Sequence, residues 1–114
     1  MPTSSILHSL DLNAMREHAH EATRLLKALA NDRRLLVLCL LSEGERSVGE
    51  LNEQLDISQS ALSQHLAVLR DDGLVQTRRD AQTIYYALAE GPAQRIIATL
   101  HDIYCGVDGP RRKR

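Results

Sequence analysis

Apolar positions along the chain recur first at helical spacing, then in alternation, and finally at helical spacing again. From Asn13 or Ala14, steps of three and four residues predict an amphipathic helix whose stripe is Met15, Ala19, Ala22, Leu25, Leu26 and Leu29. Asn31 and Asp32 are suited to cap the next helix. Because the run Leu35–Leu41 is apolar on every side, we expect that helix to be buried at the centre of the fold.

The middle of the chain predicts two helices separated by a tight turn. A capping box at Ser47–Glu50 begins a short helix that ends near Leu55. Asp56-Ile57 forms the turn, and Ser58 caps a second helix from Gln59 to about Asp71. The inward face of this second helix is formed by Leu62, Leu66 and Leu69.

The period then changes to that of a β-hairpin. Leu74–Arg79 and Thr83–Leu88 are rich in Val, Thr, Ile and Tyr, and Asp80-Ala81-Gln82 separates them. Gly91-Pro92 begins a last helix, because Pro is favoured at the first helical position. Its apolar stripe is Ala93, Ile96, Ile97, Leu100 and Tyr104. The order of elements predicts a mainly α fold with a β-hairpin wing, which is the winged helix-turn-helix.

We predict one domain, residues 14–105, between a flexible arm (1–13) and a basic tail (106–114). A chain of 114 residues fits a single domain, and 43% hydrophobic residues suit a compact core. A core of this size is modest, so a shared dimer interface would help to stabilise it.

The two middle helices have the pattern of a DNA-reading pair. Proteins of this type lay the second helix in the major groove, where Gln can pair with adenine and Ser can contact bases or phosphates. The candidate DNA-binding residues on this helix are Ser58, Gln59, Ser60, Ser63, Gln64, His65 and Arg70. The alternatives are that Ser and Gln only solvate an exposed face, that His65 is packed, and that Arg70 pairs with Asp71.

Arg78 and Arg79 lie just before the hairpin tip, where a wing would meet phosphates or the minor groove. An ordinary solvated strand end is the alternative. Residues 58–88 carry three basic and three acidic side chains, and the net charge of the chain is −1. Since this electrostatic footprint is weak for a DNA-binding protein, the prediction rests on the pattern of helices.

Three blocks of the chain together resemble the ArsR/SmtB family of bacterial repressors. They are LLKALANDRRLLVLCLL, SVGELNEQLDISQSALSQHLAVLRDDGLV and TRRDAQTIYYAL. The resemblance implies a homodimer, joined through its first and last helices, that binds palindromic double-stranded operator DNA until an inducer arrives. Ala81 departs from the Gly that the family often has at the wing tip. If this position needs a positive φ, Ala adopts it less readily than Gly.

The metal sites of that family find little support in the residues. Ser47–Leu51 has no thiol where some relatives carry a Cys-X-Cys, and His101 and Asp102 are adjacent and therefore on different helix faces. Three further histidines near the amino end would need a partner chain to form a site: His8, His18 and His20. We predict no metal and no cofactor, and keep a non-standard metal site as an alternative.

Cys39 and Cys105 are another candidate for the site at which an inducer acts. They are 66 positions apart, so only the fold could bring them together. The pair resembles that of the BigR/SqrR-type persulfide and sulfide sensors within the family. The resemblance implies redox-sensing thiols that reactive sulfur species or oxidants join by a disulfide or polysulfide, with release of DNA. From the residues alone, Cys39 also fits a small core residue and Cys105 an inert helix end. The sequence shows no obvious group that would activate the thiol at the helix end.

Other function classes lack the necessary patterns. There is no Gly-rich phosphate loop and no recognisable catalytic constellation, so we predict that the protein is not an enzyme. Three tyrosines are the only aromatic residues, which disfavours stacking on single strands. We find no signal peptide and no membrane span, and so predict a cytoplasmic location. A winged-helix adaptor that binds proteins instead of DNA remains an alternative.

Overall fold

The computed structural model describes residues 11–106, which contain five helices and three strands. In chain order these are α1 (Leu12–Leu29), α2 (Asp32–Ser42), β1 (Arg46–Ser47), α3 (Val48–Leu55), α4 (Gln59–Asp71), β2 (Val75–Asp80), β3 (Thr83–Leu88) and α5 (Pro92–Cys105). The strands form one antiparallel sheet in the order β1-β3-β2. The predicted fold class is confirmed. The predicted arm and basic tail fall largely outside the described residues.

Helix α2 occupies the centre of the fold. It packs against α1, α3, α4, α5 and β3, and the side chains of Val37 and Leu38 are completely buried. The cap predicted at Asn31 is present, because its side chain accepts a hydrogen bond from the Arg34 amide at 3.0 Å. The predicted burial of Leu35–Leu41 holds only in part: Leu41 is also buried, Leu35, Cys39 and Leu40 are half-buried, and Leu36 is 49% exposed.

The start of α1 differs by one residue from the sequence prediction. The helix begins at Leu12 rather than at Asn13 or Ala14, because the Asp11 carboxylate accepts a hydrogen bond from the Asn13 amide at 3.0 Å. Of the predicted stripe, Leu29 is buried, whereas Met15 is exposed. Leu26 is exposed as well, at 58%, so the described chain leaves much of this stripe uncovered.

The short strand β1 was absent from the sequence prediction. Arg46 pairs with Tyr86 and Ser47 with Tyr85, so β1 extends the hairpin into a three-stranded sheet. Two residues are too few to show an alternating pattern. The capping box predicted at Ser47 is confirmed, with Glu50 N to Ser47 Oγ at 3.1 Å and Ser47 N to Glu50 Oε1 at 2.8 Å.

The hairpin is shifted by one residue at its first strand. β2 spans Val75–Asp80 rather than Leu74–Arg79, since Asp80 pairs with Thr83 and leaves a two-residue loop. The first loop residue, Ala81, has φ 60°. A two-residue hairpin loop favours Gly where φ is positive, because the Cβ atom of other residues is crowded there.

We therefore expect Ala81→Gly to stabilise the fold. Relief of the left-handed conformation should raise the free energy of unfolding by about 1 kcal/mol, measured by urea denaturation. The matched control is Ala67→Gly within α4, where the same change should lower it by about 1 kcal/mol. Destabilisation by both variants would contradict the strain assigned to Ala81.

Candidate nucleic-acid interface and dithiol pair

The turn between α3 and α4 is held by three neighbouring residues. Asp56 adopts the left-handed conformation, with φ 52° and ψ 54°. A short polar side chain tolerates this backbone better than a bulky one. The Asn52 side chain donates a hydrogen bond to the Ile57 carbonyl, and the Ile57 side chain is buried. These contacts fix the direction in which α4 leaves the turn.

The outer face of α4 is polar and carries no charge over its first two turns. Ser58 caps the helix, because its hydroxyl accepts a hydrogen bond from the Ala61 amide at 3.2 Å. Exposed side chains follow at Gln59, Ser60, Ser63 and Gln64. The opposite face is buried as predicted, at Leu62, Leu66 and Leu69. The exposed face can therefore approach another molecule closely without ionic contacts.

His65 and Arg70 differ from the rest of this face. His65 is half-buried, and its burial together with the nearby charges of Arg34 and Arg33 lowers the pKa of the imidazole. It is consequently neutral at physiological pH and a poor partner for phosphate. Arg70 is exposed, and within residues 11–106 it forms no ion pair with Asp71.

The C-terminal end of α4 is tied to α1. The Arg24 guanidinium donates a hydrogen bond from Nε to Asp72 Oδ1 at 2.8 Å. Asp72 is the C-cap residue of α4, and its side chain is only 15% exposed. The pair therefore joins α4 to the helix whose apolar stripe is incompletely buried.

The two wing arginines have different surroundings. Arg78 donates two hydrogen bonds to the Glu45 carboxylate, at 2.8 and 2.7 Å, and its guanidinium lies 4.5 Å from the centre of the Tyr85 ring. The same hydrogen bonds lower the pKa of Glu45. Arg79 is exposed and makes no side-chain hydrogen bond within the described part of the chain. Glu45 was missed by sequence reasoning, because no local spacing relates it to Arg78.

The two cysteines lie on helices that pack together. Cys39 is half-buried on α2, Cys105 is exposed at the end of α5, and both are free thiols. Burial raises the pKa of Cys39, and the charges of Cys105 and Glu43 raise it further. The fold thus places the two thiols on helices that contact each other.

A cavity of about 290 Å³ adjoins the Cys39 thiol. It is lined by Leu36, Cys39, Leu40, Glu43, Gln54, Leu55 and His101. His101 precedes Cys105 by four residues on α5, so the two side chains share one helix face. Sequence reasoning considered His101 only as a metal ligand, and its spacing to Cys105 was the signal that it overlooked.

Two further properties concern residues 11–106 alone. No group of three or more His, Cys, Asp or Glu side chains in this range is arranged to hold a metal ion. None of its helices combines the length and the apolarity needed to cross a membrane.

A helix-turn-helix with an exposed polar second helix, followed by a three-stranded wing, defines a winged-helix DNA-binding regulator. Residues 31–77 match the model of the family described as bacterial regulatory protein, arsR family. The chain belongs to this family.

Known relatives agree with this assignment over most of the chain. The transcriptional activator HlyU of Vibrio cholerae is 52% identical, covering 84% of this chain and 89% of that protein. The biofilm growth-associated repressor of Agrobacterium fabrum is 51% identical, covering 84% of this chain and 82% of that protein. These relatives are transcriptional regulators, and the protein is a DNA-binding transcriptional regulator rather than an enzyme.

Solved structures give the same result. Reduced HlyU from Vibrio cholerae superposes with a TM-score of 0.78 and 53% identity, covering 81% of this chain and 97% of that chain. The transcriptional repressor BigR from Xylella fastidiosa superposes with a TM-score of 0.76 and 44% identity, covering 84% and 98% of the two chains.

The pairing of Glu45 with Arg78 predicts a pH-dependent contribution to stability. Because the pKa of Glu45 is lower in the folded state than its ordinary value of 4.5, the contribution is present above that value and is lost as the pH falls through the folded pKa. Wild type should therefore have a slightly higher Tm than Glu45→Gln near pH 7, and the difference should close as the pH falls below 4.5 and through the lowered pKa of Glu45. In an Arg78→Gln background the same substitution should have no such effect; a persistent difference would contradict the assigned cause.

Proposed function

We propose that the protein is a homodimeric repressor that binds palindromic operator DNA through α4 and releases it when Cys39 and Cys105 are joined. The observation that carries the proposal is that two cysteines 66 positions apart lie on adjoining helices, one of which packs against α4. Reactive sulfur species or oxidants are the proposed inducers. HlyU, to which the chain is similar, has been solved in a form described as reduced, which supports thiol chemistry here.

Uncovered apolar side chains on α1 and α5 support the dimer. Large hydrophobic residues stand exposed at Leu12, Met15, Leu26, Ile103 and Tyr104, the last at 60%. Water contact with large apolar side chains is unfavourable, and their concentration on two helices indicates an interface. A second copy packing its own α1 and α5 against these helices would cover it, and symmetry would then present two α4 helices to one palindrome.

Side chains of α4 would contact bases and phosphates of the DNA, and side chains of the wing would contact phosphates. Gln59 and Gln64 suit bidentate contact with adenine, and Ser60 and Ser63 suit bases or phosphates at close approach. Ser58 caps α4 and His65 is neutral, so we assign both to positioning rather than to phosphate contact.

Among the arginines we assign phosphate contact to Arg70 and Arg79, which are exposed. Arg78 was predicted to contact DNA as well. Its pair with Glu45 instead favours a role in holding the wing at a fixed angle.

A bridge between the thiols would act through α2. This helix contacts both α5 and α4, so a covalent bond that changes the α2–α5 packing also shifts α4. In a dimer the two α4 helices must lie roughly 34 Å apart to enter successive major grooves. A change in their spacing would weaken binding, and coupling of this kind is typically worth about 1–3 kcal/mol.

We expect Gln64→Ala to weaken binding to a duplex selected from a random pool by the wild type. Loss of a bidentate base contact should reduce affinity by about 5- to 150-fold, equivalent to 1–3 kcal/mol, without changing the salt dependence.

Arg79→Ala should instead reduce the slope of log K against log salt by about 1. Fluorescence anisotropy measures both, with Gln94→Ala on α5 as the control. Binding to no duplex, or binding independent of salt, would favour a protein-interaction adaptor.

We expect glutathione persulfide to release wild-type protein from this duplex, with a mass change that links Cys39 to Cys105. Cys39→Ser and Cys105→Ser should bind DNA as the reduced wild type does and should stay bound after treatment. Band shifts and intact mass of the same samples measure the two effects. Equal affinity of the reduced and the bridged wild type would refute the switch. Release without a bridge would point to another inducer, such as a metal.

A further inference from the structure

The cavity beside Cys39 joins side chains from three helices. Helix α2 contributes Cys39 together with its C-cap residue Glu43, α3 contributes Gln54, and α5 contributes His101. Cys105 lies four residues beyond His101 on α5. A thiol that must react, an imidazole and a carboxylate thus line one cavity, and the second thiol lies about one helical turn beyond the imidazole.

Closure of a bridge requires the Cys39 thiol to lose its proton. Burial, Cys105 and Glu43 all raise the pKa of this thiol, so it is protonated at neutral pH. Glu43 carries a negative charge that opposes the thiolate, and Arg46, which could offset it, is bound to Glu43 at 3.3 Å. Leu36, Leu40, Gln54 and Leu55 bring no ionisable group to the cavity.

Of the side chains that line the cavity, His101 alone carries an imidazole, whose ring nitrogen can accept a proton and release it again. His101 and Cys105 are both on α5, whereas Cys39 is on α2. The group that removes the Cys39 proton would therefore belong to the same helix as the thiol that Cys39 attacks. Asp102, its neighbour, is on a different face of α5 and does not line the cavity.

We propose that His101 accepts the Cys39 proton as the bridge closes and passes it to the departing sulfide. This proposal rests on the proposed dithiol switch and adds a proton-transferring residue to it. Leu36 and Gln54, which line the cavity, are exposed, so the leaving group has a path to solvent.

The reaction has two steps. The Cys105 thiolate attacks the outer sulfur of a persulfide RS–SH, the S–S bond breaks, and RS⁻ leaves and takes up a proton, which yields a persulfide on Cys105. The Cys39 sulfur then attacks Sγ of Cys105 while its proton moves to His101. The bond from Sγ to the outer sulfur breaks, and hydrosulfide leaves with the electron pair and takes the proton from His101 as H₂S. Two thiols are oxidised to a disulfide, and one sulfane sulfur is reduced to sulfide.

Rapid-quench mass spectrometry tests this role on the reduced full-length protein mixed with glutathione persulfide. His101→Gln and His101→Ala should slow the second step at pH 7 by about tenfold to a hundredfold, the lower end of what proton transfer contributes. The first step should be unaffected, so the form that has gained one sulfur atom should accumulate. His20→Gln, the same change on exposed α1, should react as the wild type does.

Two readouts separate proton transfer from a structural role. The wild-type rate of the second step should fall on acidification, because a protonated imidazole cannot accept the proton of Cys39, and this dependence should be missing from His101→Gln. Added imidazole should restore the rate of His101→Ala. Reduced variants should bind DNA normally, which shows that they are folded.

The outcomes distinguish this inference from the function on which it rests. If wild type and His101→Gln close the bridge at equal rates with the same pH profile, the role of His101 is wrong and the switch stands. If His101→Ala is slow but imidazole does not restore its rate and its pH profile is unchanged, His101 acts only in packing, which also overturns the proposal. If the wild type forms no bridge, the proposed switch fails and this step fails with it.

Discussion

The packing of α2 is the constraint on which the rest of the structure depends. Four helices and β3 pack directly against it, and β1 and β2 are held in turn by pairing with β3. Its centre, at Val37 and Leu38, is fully buried. Because a close-packed interior transmits displacement rather than absorbing it, a change at one side of α2 reaches the elements on its other sides. A thiol on this helix is therefore well placed to influence α4.

The candidate DNA surface carries few uncompensated charges. The exposed face of α4 is uncharged over its first two turns, Arg78 is paired with Glu45, and the whole chain has a net charge of −1. Few phosphate contacts mean little non-specific affinity, since that affinity comes almost entirely from counterion release. A regulator built this way would depend on base contacts and on the correct spacing of two reading helices, which makes it sensitive to small changes of geometry.

Local features of this fold could be predicted from the sequence, whereas contacts between distant segments could not. The buried α2 and the capping box at Ser47 follow from patterns within one helical turn or two. The ion pair of Glu45 and Arg78 joins residues 33 positions apart, and no periodicity encodes it. The proximity of the thiols came only from resemblance. The four-residue spacing of His101 and Cys105 is visible in the sequence. Only the cavity that His101 shares with Cys39 relates this spacing to the chemistry of the thiols.

Helix α5 contacts the core of its own chain and also carries exposed apolar residues of the proposed dimer interface. The proposed switch would have to link these two surfaces. Its N-terminal half is buried against the core at Ala93 and Ile97, while Ile103 and Tyr104 in its last turn are exposed. Cys105 lies at the C-terminal end of the same helix. A bridge to Cys105 would act on α5 at its C-terminal end. For a given rotation of α5 about its buried N-terminal half, this end moves furthest. If the exposed side contacts a second copy, the bond moves α5 against both its own core and its partner. This explains how a reaction far from α4 would alter the distance between two reading helices.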